Sequence, residues 1–439
     1  MIMAVWSRAA ELADRTPASR NRYVDFLRAT SMLVVTVGHW LAAAPYFDAT
    51  NTLTTAHILT VAPWTAWLTW IVQVMPIFFM VGGYANGISW RAARRDDKSY
   101  AAWIEGRLRR LVWPILPLLA VWVAIVAIEY ARGVRPELIS YGSQVAFIPL
   151  WFLAVYIGIV LLVPVTEAAW ARFGMRSFWA LTAAAAAVDV MYFAVGLRWL
   201  GFANYLFVWG AISVLGYAWL DGRFSQRWTL LVGSAFGFAA LLLLVHVGPY
   251  PVSMIGVPGD PISTTTPPKV TLIALATVQA GLLLAAQASA RRWLAGRVAW
   301  TATVVMNGTI MTLFIWHLTA TTLVVLAAYF AGGFGLRLEP GSSEWWWSRF
   351  PWLAANAMAV IPLVVAFGRF ERPRATGGAL APAWRYVLGA LVTGIGLALL
   401  AAQGVGGYGS FGLNVWGLTF ALMGIGLIAS RIGAVRGVV

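Results

Sequence analysis

Cysteine is absent from this 439-residue chain, which excludes disulfides and thiol catalysis together. Charge is scarce as well: Asp, Glu, Lys and Arg make up 11% of the residues, against about a quarter in soluble domains. A chain so short of charge, 61% hydrophobic and with a mean hydropathy of +0.77, is not a soluble globular protein. It is read as polytopic and membrane-embedded. Lysine stands only at Lys98 and Lys269 beside abundant arginine and alanine, a bias that hints at a GC-rich bacterial genome. The first 24 residues lack a continuous apolar core, so they are read as a cytoplasmic tail with a short interfacial helix at 1–12, and not as a signal peptide. No metal site is expected from the residues present.

What is there is apolar and periodic. Twelve runs long enough to cross about 30 Å of hydrocarbon lie near 26–45, 64–88, 108–130, 149–167, 177–195, 204–220, 229–248, 270–290, 301–331, 350–368, 386–403 and 411–430. The net charge of +15 does not point to nucleic acid, because the basic residues sit in short clusters between these runs. Threading the runs with both termini inside leaves only Arg132, Arg135, Arg198, Lys269, Arg337 and Arg349 outside, and the other 25 of 31 basic residues inside. That excess orients the chain, with both termini cytoplasmic in a bacterial inner membrane. Outer segments 46–63, 249–268 and 332–350 are rich in Pro, Gly, Ser, Thr and Trp and read as loops, with Trp345, Trp346 and Trp347 anchored at the headgroups.

Against this apolar background the stretch Arg22–Trp40, RYVDFLRATSMLVVTVGHW, stands out. It places Asp25, Arg28 and His39 in a helix-length run where ionisable groups are costly without partners or work. The step from Arg28 to His39 turns through about 1100° and rises about 16 Å on an α-helix, so the two share a face. Asp25, three residues before Arg28, joins the same stripe. Of the four histidines His39 and His317 fall well within runs, about 20 Å and about 24 Å up their helices and hence at similar depth, while His246 and His57 stand near or beyond the outer surface. Arg107 and Arg110, three apart where the third run begins, read as a helix-start anion site. Asp189 needs a buried partner that the sequence does not name. Gly83 and Gly87 form a G-x-x-x-G pattern suited to close helix packing.

These residues occur in an order that resembles membrane acyltransferase family 3. The Arg28-x10-His39 pattern within RYVDFLRATSMLVVTVGH is similar to that family's first helix, and PIFFMVGGYANG at 76–87 to its second, although Gly82-Gly83-Tyr84 departs from the more usual Ser-Gly-Phe. Arg107-x-x-Arg110 resembles its basic motif, WFLAVYI at 151–157 its Trp-Phe-Leu segment, and IWHLT at 315–319 its late-helix histidine. The resemblance covers about residues 22 to 370. It implies an all-α bundle of about ten helices at 25–370, here followed by two additional spans at 371–430 and a short tail at 431–439. It also implies an acyl-CoA-dependent O-acyltransferase, with acetyl-CoA the default donor and a hydroxyl of an envelope glycolipid or polysaccharide as acceptor. His39 would be general base or acyl relay, Arg28 and Asp25 its partners, and His317 would position the acceptor. Arg107, Arg110, Arg28 and Trp151 would hold the donor. The alternative kept open is a twelve-span transporter or lipid flippase; no nucleic-acid partner is expected, and the oligomeric state is not legible.

Overall fold

The computed structural model describes residues 2–17, 20–257, 259–371, 379–407 and 410–430; the tail expected at 431–439 lies outside them. The chain opens with α1 (Ile2–Asp14) and α2 (Arg22–Ala42), then an antiparallel hairpin of β1 (Ala43–Phe47) and β2 (Leu53–His57). Short helices α3 (Ile58–Val61) and α4 (Thr69–Val72) lead to α5 (Met75–Arg95), α6 (Tyr100–Val112), α7 (Ile115–Ala131), α8 (Pro136–Phe147) and α9 (Leu150–Leu161). There follow α10 (Val163–Phe173), α11 (Met175–Ala194), α12 (Asn204–Leu220), α13 (Arg227–His246) and α14 (Thr271–Leu294). The chain closes with α15 (Arg297–Phe330), α16 (Ser343–Phe367), α17 (Ala383–Gln403) and α18 (Val415–Ala429).

Each of the twelve apolar runs coincides with helix, and the protein is an all-α polytopic membrane protein. Nine helical stretches among the described residues are long and apolar enough to cross a bilayer, ten when α8 and α9, bent by 46°, count as one. Neither α2 nor α18 is in that set. α2 carries Arg22, Asp25 and Arg28, and α18 has only 15 residues, about 22 Å of helix. The segment at 46–63 is more ordered than a loop. Asp48 Oδ1 accepts from the Thr50 and Thr52 N–H groups, and Asn51 takes a positive φ of 56°, which closes the turn between β1 and β2. Of the three tryptophans expected at the headgroups, Trp347 is 73% exposed, Trp346 packs on Trp64, and Trp345 is fully buried. Trp345 is thus a core residue, because α16 starts at Ser343 and turns that side chain inward.

Two compact units divide the chain, with boundaries inside α5, α10, α15 and α16: one comprises 1–88, 164–310 and 337–347, the other 89–163, 311–336 and 348–439. The first unit is held by close helix approaches. A Cβ on Gly83 would lie 2.0 Å from the Ser213 carbonyl oxygen, and one on Gly216 would lie 2.2 Å from that of Met80, so α5 and α12 touch backbone to backbone. Asp189 finds its partners here. Its carboxylate accepts from Asn204 Nδ2 (2.9 Å), the Tyr250 hydroxyl (3.1 Å) and the Val270 N–H (2.9 Å), tying α11 to α12 and to the segment that joins α13 to α14. Lys269, also fully buried, lies over the Tyr192 ring at 3.7 Å and donates to the Pro267 carbonyl. Burial pulls its ammonium below the ordinary lysine range, and the nearby Asp189 charge opposes that pull.

In the second unit α17 packs on α18, α9 and α8. Gly396 and Gly424 permit the α17–α18 contact, since a Cβ at Gly396 would meet the Ala421 nitrogen at 2.2 Å. Gln144 of α8 donates to the Ala402 carbonyl at the end of α17. The two C-terminal helices are therefore built into the packing of this unit.

Candidate active site

The charged stripe of α2 is present in the first unit as a hydrogen-bonded network. Asn21 caps the helix, its side chain accepting from the Tyr23 N–H, and Asp25 falls one turn in, where a carboxylate suits the positive helix end. Asp25 is 6% exposed and carries two guanidinium partners: Arg20 Nε donates to Oδ2 at 2.6 Å and Arg28 Nη2 to Oδ1 at 2.8 Å. The same Asp25 hydrogen bond holds the Arg20 guanidinium above its ordinary value. Asn307 of α15 completes the set. Its Oδ1 accepts from Arg28 Nε at 2.8 Å, while its Nδ2 donates to the carbonyls of Asp25 (3.0 Å) and Thr303 (2.9 Å). Arg28 is thereby held on two edges, and no described residue accepts from its Nη1. With two guanidiniums on one carboxylate, the cluster keeps one net positive charge, suited to an anion.

Eleven residues up the same helix, His39 sits in the last turn, its carbonyl accepting from the Ala43 N–H. Chain direction then reverses: Ala43 pairs with His57 across the hairpin. A directly paired residue has its Cβ about 5 Å away, so His57 joins the neighbourhood of the His39 turn. The His57 Nδ1 accepts from the Leu59 N–H at 3.3 Å, capping α3 and leaving Nε2 as the protonated nitrogen. Burial holds this imidazole below its ordinary pKa. Thr36, one turn before His39, is fully buried, and its hydroxyl has no protein partner among the described residues.

Arg107, Arg110, Trp151 and His317 belong to the second unit. α6 begins at Tyr100 behind the Ser99 cap, so Arg107 and Arg110 stand toward its C-terminal end. The helix-start reading of the two arginines is therefore corrected: at this end the dipole favours their side chains, while the free backbone N–H groups lie at the other end. Arg110 is exposed and Arg107 lies over the Trp103 ring at 5.9 Å. Their neighbour Arg109 is the buried member. It pairs with Glu105 at 3.5 Å, both side chains being under 10% exposed, and stacks over Trp113 at 5.4 Å. The i,i+4 spacing of Glu105 and Arg109 carries that pairing in the sequence itself.

Tyr100 at the start of α6 donates to the Leu161 carbonyl at the end of α9. Trp151 opens an aromatic series, edge-on to Phe152, which meets Phe314 at 5.5 Å, and Phe314 stacks on His317 at 6.0 Å. His317 is fully buried, and its Nδ1–H donates to the Phe314 carbonyl at 2.6 Å, leaving Nε2 as the basic nitrogen. On the following turns Thr319 accepts from the Trp122 indole and Thr321 donates to Asn356. The structure thus joins Asp25 to Arg28 in one unit and the Trp151 segment to His317 in the other.

A family model described as an acyltransferase domain, acyltransferase 3, matches residues 21–369. The chain belongs to the acyltransferase 3 family. Neither a curated protein nor a solved structure matches it. The matched range begins at the α2 cap and closes at the end of α16, so it takes in both the Asp25–Arg28 network and the His317 helix. Asn307, Arg20, Thr36, Glu105 and Arg109 are the residues of these networks that sequence reasoning did not single out. Asn307 left a trace as an amide inside an apolar run, and Glu105 and Arg109 left one in their i,i+4 spacing.

Proposed function

We propose that this membrane acyltransferase moves an acyl group, acetyl by default, from cytoplasmic acyl-CoA to a hydroxyl of an envelope glycolipid or glycan. The observation that carries the reading is the fixed guanidinium of Arg28, held by Asp25 and Asn307 on the helix that bears His39. In this reading the open Nη1 edge of Arg28 takes a donor phosphate by a charge-assisted hydrogen bond. Arg107, Arg110 and Trp151 serve the donor as well. His39 removes the proton from the acceptor hydroxyl as its oxygen attacks the thioester carbonyl carbon. The C–S bond breaks, the coenzyme A thiolate leaves, and the proton on His39 returns to it or to water. Thr36 hydrogen-bonds substrate beside the imidazole, and His317 positions the acceptor through Nε2.

Both termini are proposed to be cytoplasmic, on the excess of arginine in alternate loops. Segment 25–370 is proposed as the catalytic membrane domain, with the 371–430 spans as an addition to it. The transporter alternative is not favoured by family membership. The test is transfer of label from radioactive acetyl-CoA to an envelope extract by the purified protein in nanodiscs. Alkali-labile ester label that disappears with His39→Ala is the expected result. The reading fails if no acyl-CoA is consumed and cells carrying His39→Ala keep a normal envelope acyl content.

A further inference from the structure

Away from the charged stripe, the first unit has a groove of about 420 Å³ lined by Val165, Ala169, Phe173, Ala180, Leu181 and Val214, with Thr166, Arg176 and Ser177 completing its wall. That volume is within the roughly 300–1,000 Å³ of small-ligand sites. The two hydroxyls on the wall are already engaged, Ser177 with the Ala169 carbonyl (3.0 Å) and Thr166 with the Tyr217 hydroxyl (2.9 Å). What the groove offers an occupant is therefore apolar. At one end Gly174, with φ of 55°, turns α10 into α11 and sets Arg172 and Arg176 on either side of the turn. Both arginines are exposed, and neither has an acidic partner among the described residues; Arg172 only flanks the Phe173 ring. The acid at that end, Asp221, accepts from the Trp170 indole at 2.7 Å.

We infer that this groove binds an anionic phospholipid, its acyl chain along α10–α12 and its phosphate against Arg172 and Arg176. Charge complementarity selects the occupant: two guanidiniums without acids favour a headgroup with net negative charge over a zwitterionic one. The setting selects a lipid over a soluble anion. α11 is long and apolar enough to cross a membrane and is mostly unburied, and Phe173 and Val165 of the groove stand more than half exposed. Such a surface is satisfied in hydrocarbon, where an acyl chain can fill the groove continuously.

Native mass spectrometry of protein released from micelles holding equal phosphatidylglycerol and phosphatidylcholine tests this, with melting curves of the same samples. Wild type is expected to retain phosphatidylglycerol at least tenfold over phosphatidylcholine. The double variant Arg172→Gln, Arg176→Gln is expected to lose that preference by about fivefold per arginine, with its melting temperature in plain detergent unchanged. Ala180→Trp, an exposed position on the groove wall, fills the groove and is expected to lower retention of both lipids. Should the double variant fail to fold, Ala180→Trp decides alone. Equal retention of both lipids by wild type, a preference that survives both substitutions, or equal competition by glycerol phosphate without acyl chains would overturn the inference.

Discussion

His39 and His317, each well inside an apolar run, occupy contrasting settings. His317 is wholly buried in mid-helix, its Nδ1 tied to a carbonyl of its own turn and its ring against Phe314. His39 stands half-buried in the last turn of α2, where helix gives way to hairpin, above a cluster of one carboxylate and two guanidiniums. A ring locked by packing holds a geometry, whereas a ring at a helix end above a charged cluster can meet a reactant and exchange a proton. Depth in the bilayer made the two look alike. Their surroundings differ, and the proposed reaction gives them different work.

The sharpest way to break that comparison is to remove each imidazole in turn. His39→Ala is expected to lower acyl transfer by about 10²–10⁴, the usual range for losing a general base, with the amount of folded protein unchanged. Radiolabel transfer beside size-exclusion profiles reads both. Equal losses for His39→Ala and His317→Ala, each in well-folded protein, would erase the distinction. Next in size is the network below His39. Arg28→Lys keeps the charge, but a lysine ammonium lacks the fixed fork that reaches Asp25 and Asn307 at once. Its expected cost is about 10–100-fold in kcat/KM, seen mainly in KM for the acyl donor. Asp25→Ala strands two guanidiniums, one of them half-buried, and is expected to lower stability by about 3 kcal/mol, read as a fall in melting temperature.

The fold was largely legible because the hydrocarbon constraint is strong: twelve apolar runs coincide with helices, and Gly83 and Gly87 lie where α5 approaches α12. Helical phase also placed Asp25 beside Arg28, which is a local relation three residues long. What stayed hidden depends on distant chain. Asn307 is 279 residues from Arg28, and the Asp189 partners lie 15 to 81 residues away. Periodicity carries no information about such pairings. The basic cluster misled for another reason. The apolar run begins near 108, but α6 begins at Tyr100, since a helix can start in the polar interface before it enters hydrocarbon. The arginines near the run's start are therefore near the helix's end, and the buried one is Arg109.

A milder test concerns His317 itself. If its ring is a positioning group, His317→Gln, which can still donate to a nearby carbonyl, is expected to keep activity within about tenfold of wild type. His317→Leu forfeits the hydrogen bond to Phe314 and is expected to cost about 1–3 kcal/mol of stability. Thermal melts alongside turnover separate the two contributions. A His317→Gln protein as inactive as His39→Ala would move His317 into the chemistry.

The smallest effect is expected at the hairpin beside His39. Burial holds the His57 pKa below its unfolded value of about 6.5, so the unfolded segment binds more protons than the folded one. The cap on α3 is then fully present above about pH 6.5 and is lost as pH falls toward the folded pKa, because protonated Nδ1 no longer accepts from the Leu59 N–H. Such a cap contributes about 1 kcal/mol, too little to unfold the protein but enough to loosen β2. Protection of the Ala43–Phe47 and Leu53–His57 amides against hydrogen exchange, taken relative to the intrinsic exchange rate at each pH, should therefore fall on acidification in wild type and stay flat in His57→Gln. Equal acid sensitivity in the two proteins would place the titrating group elsewhere, with His39 the next candidate to replace.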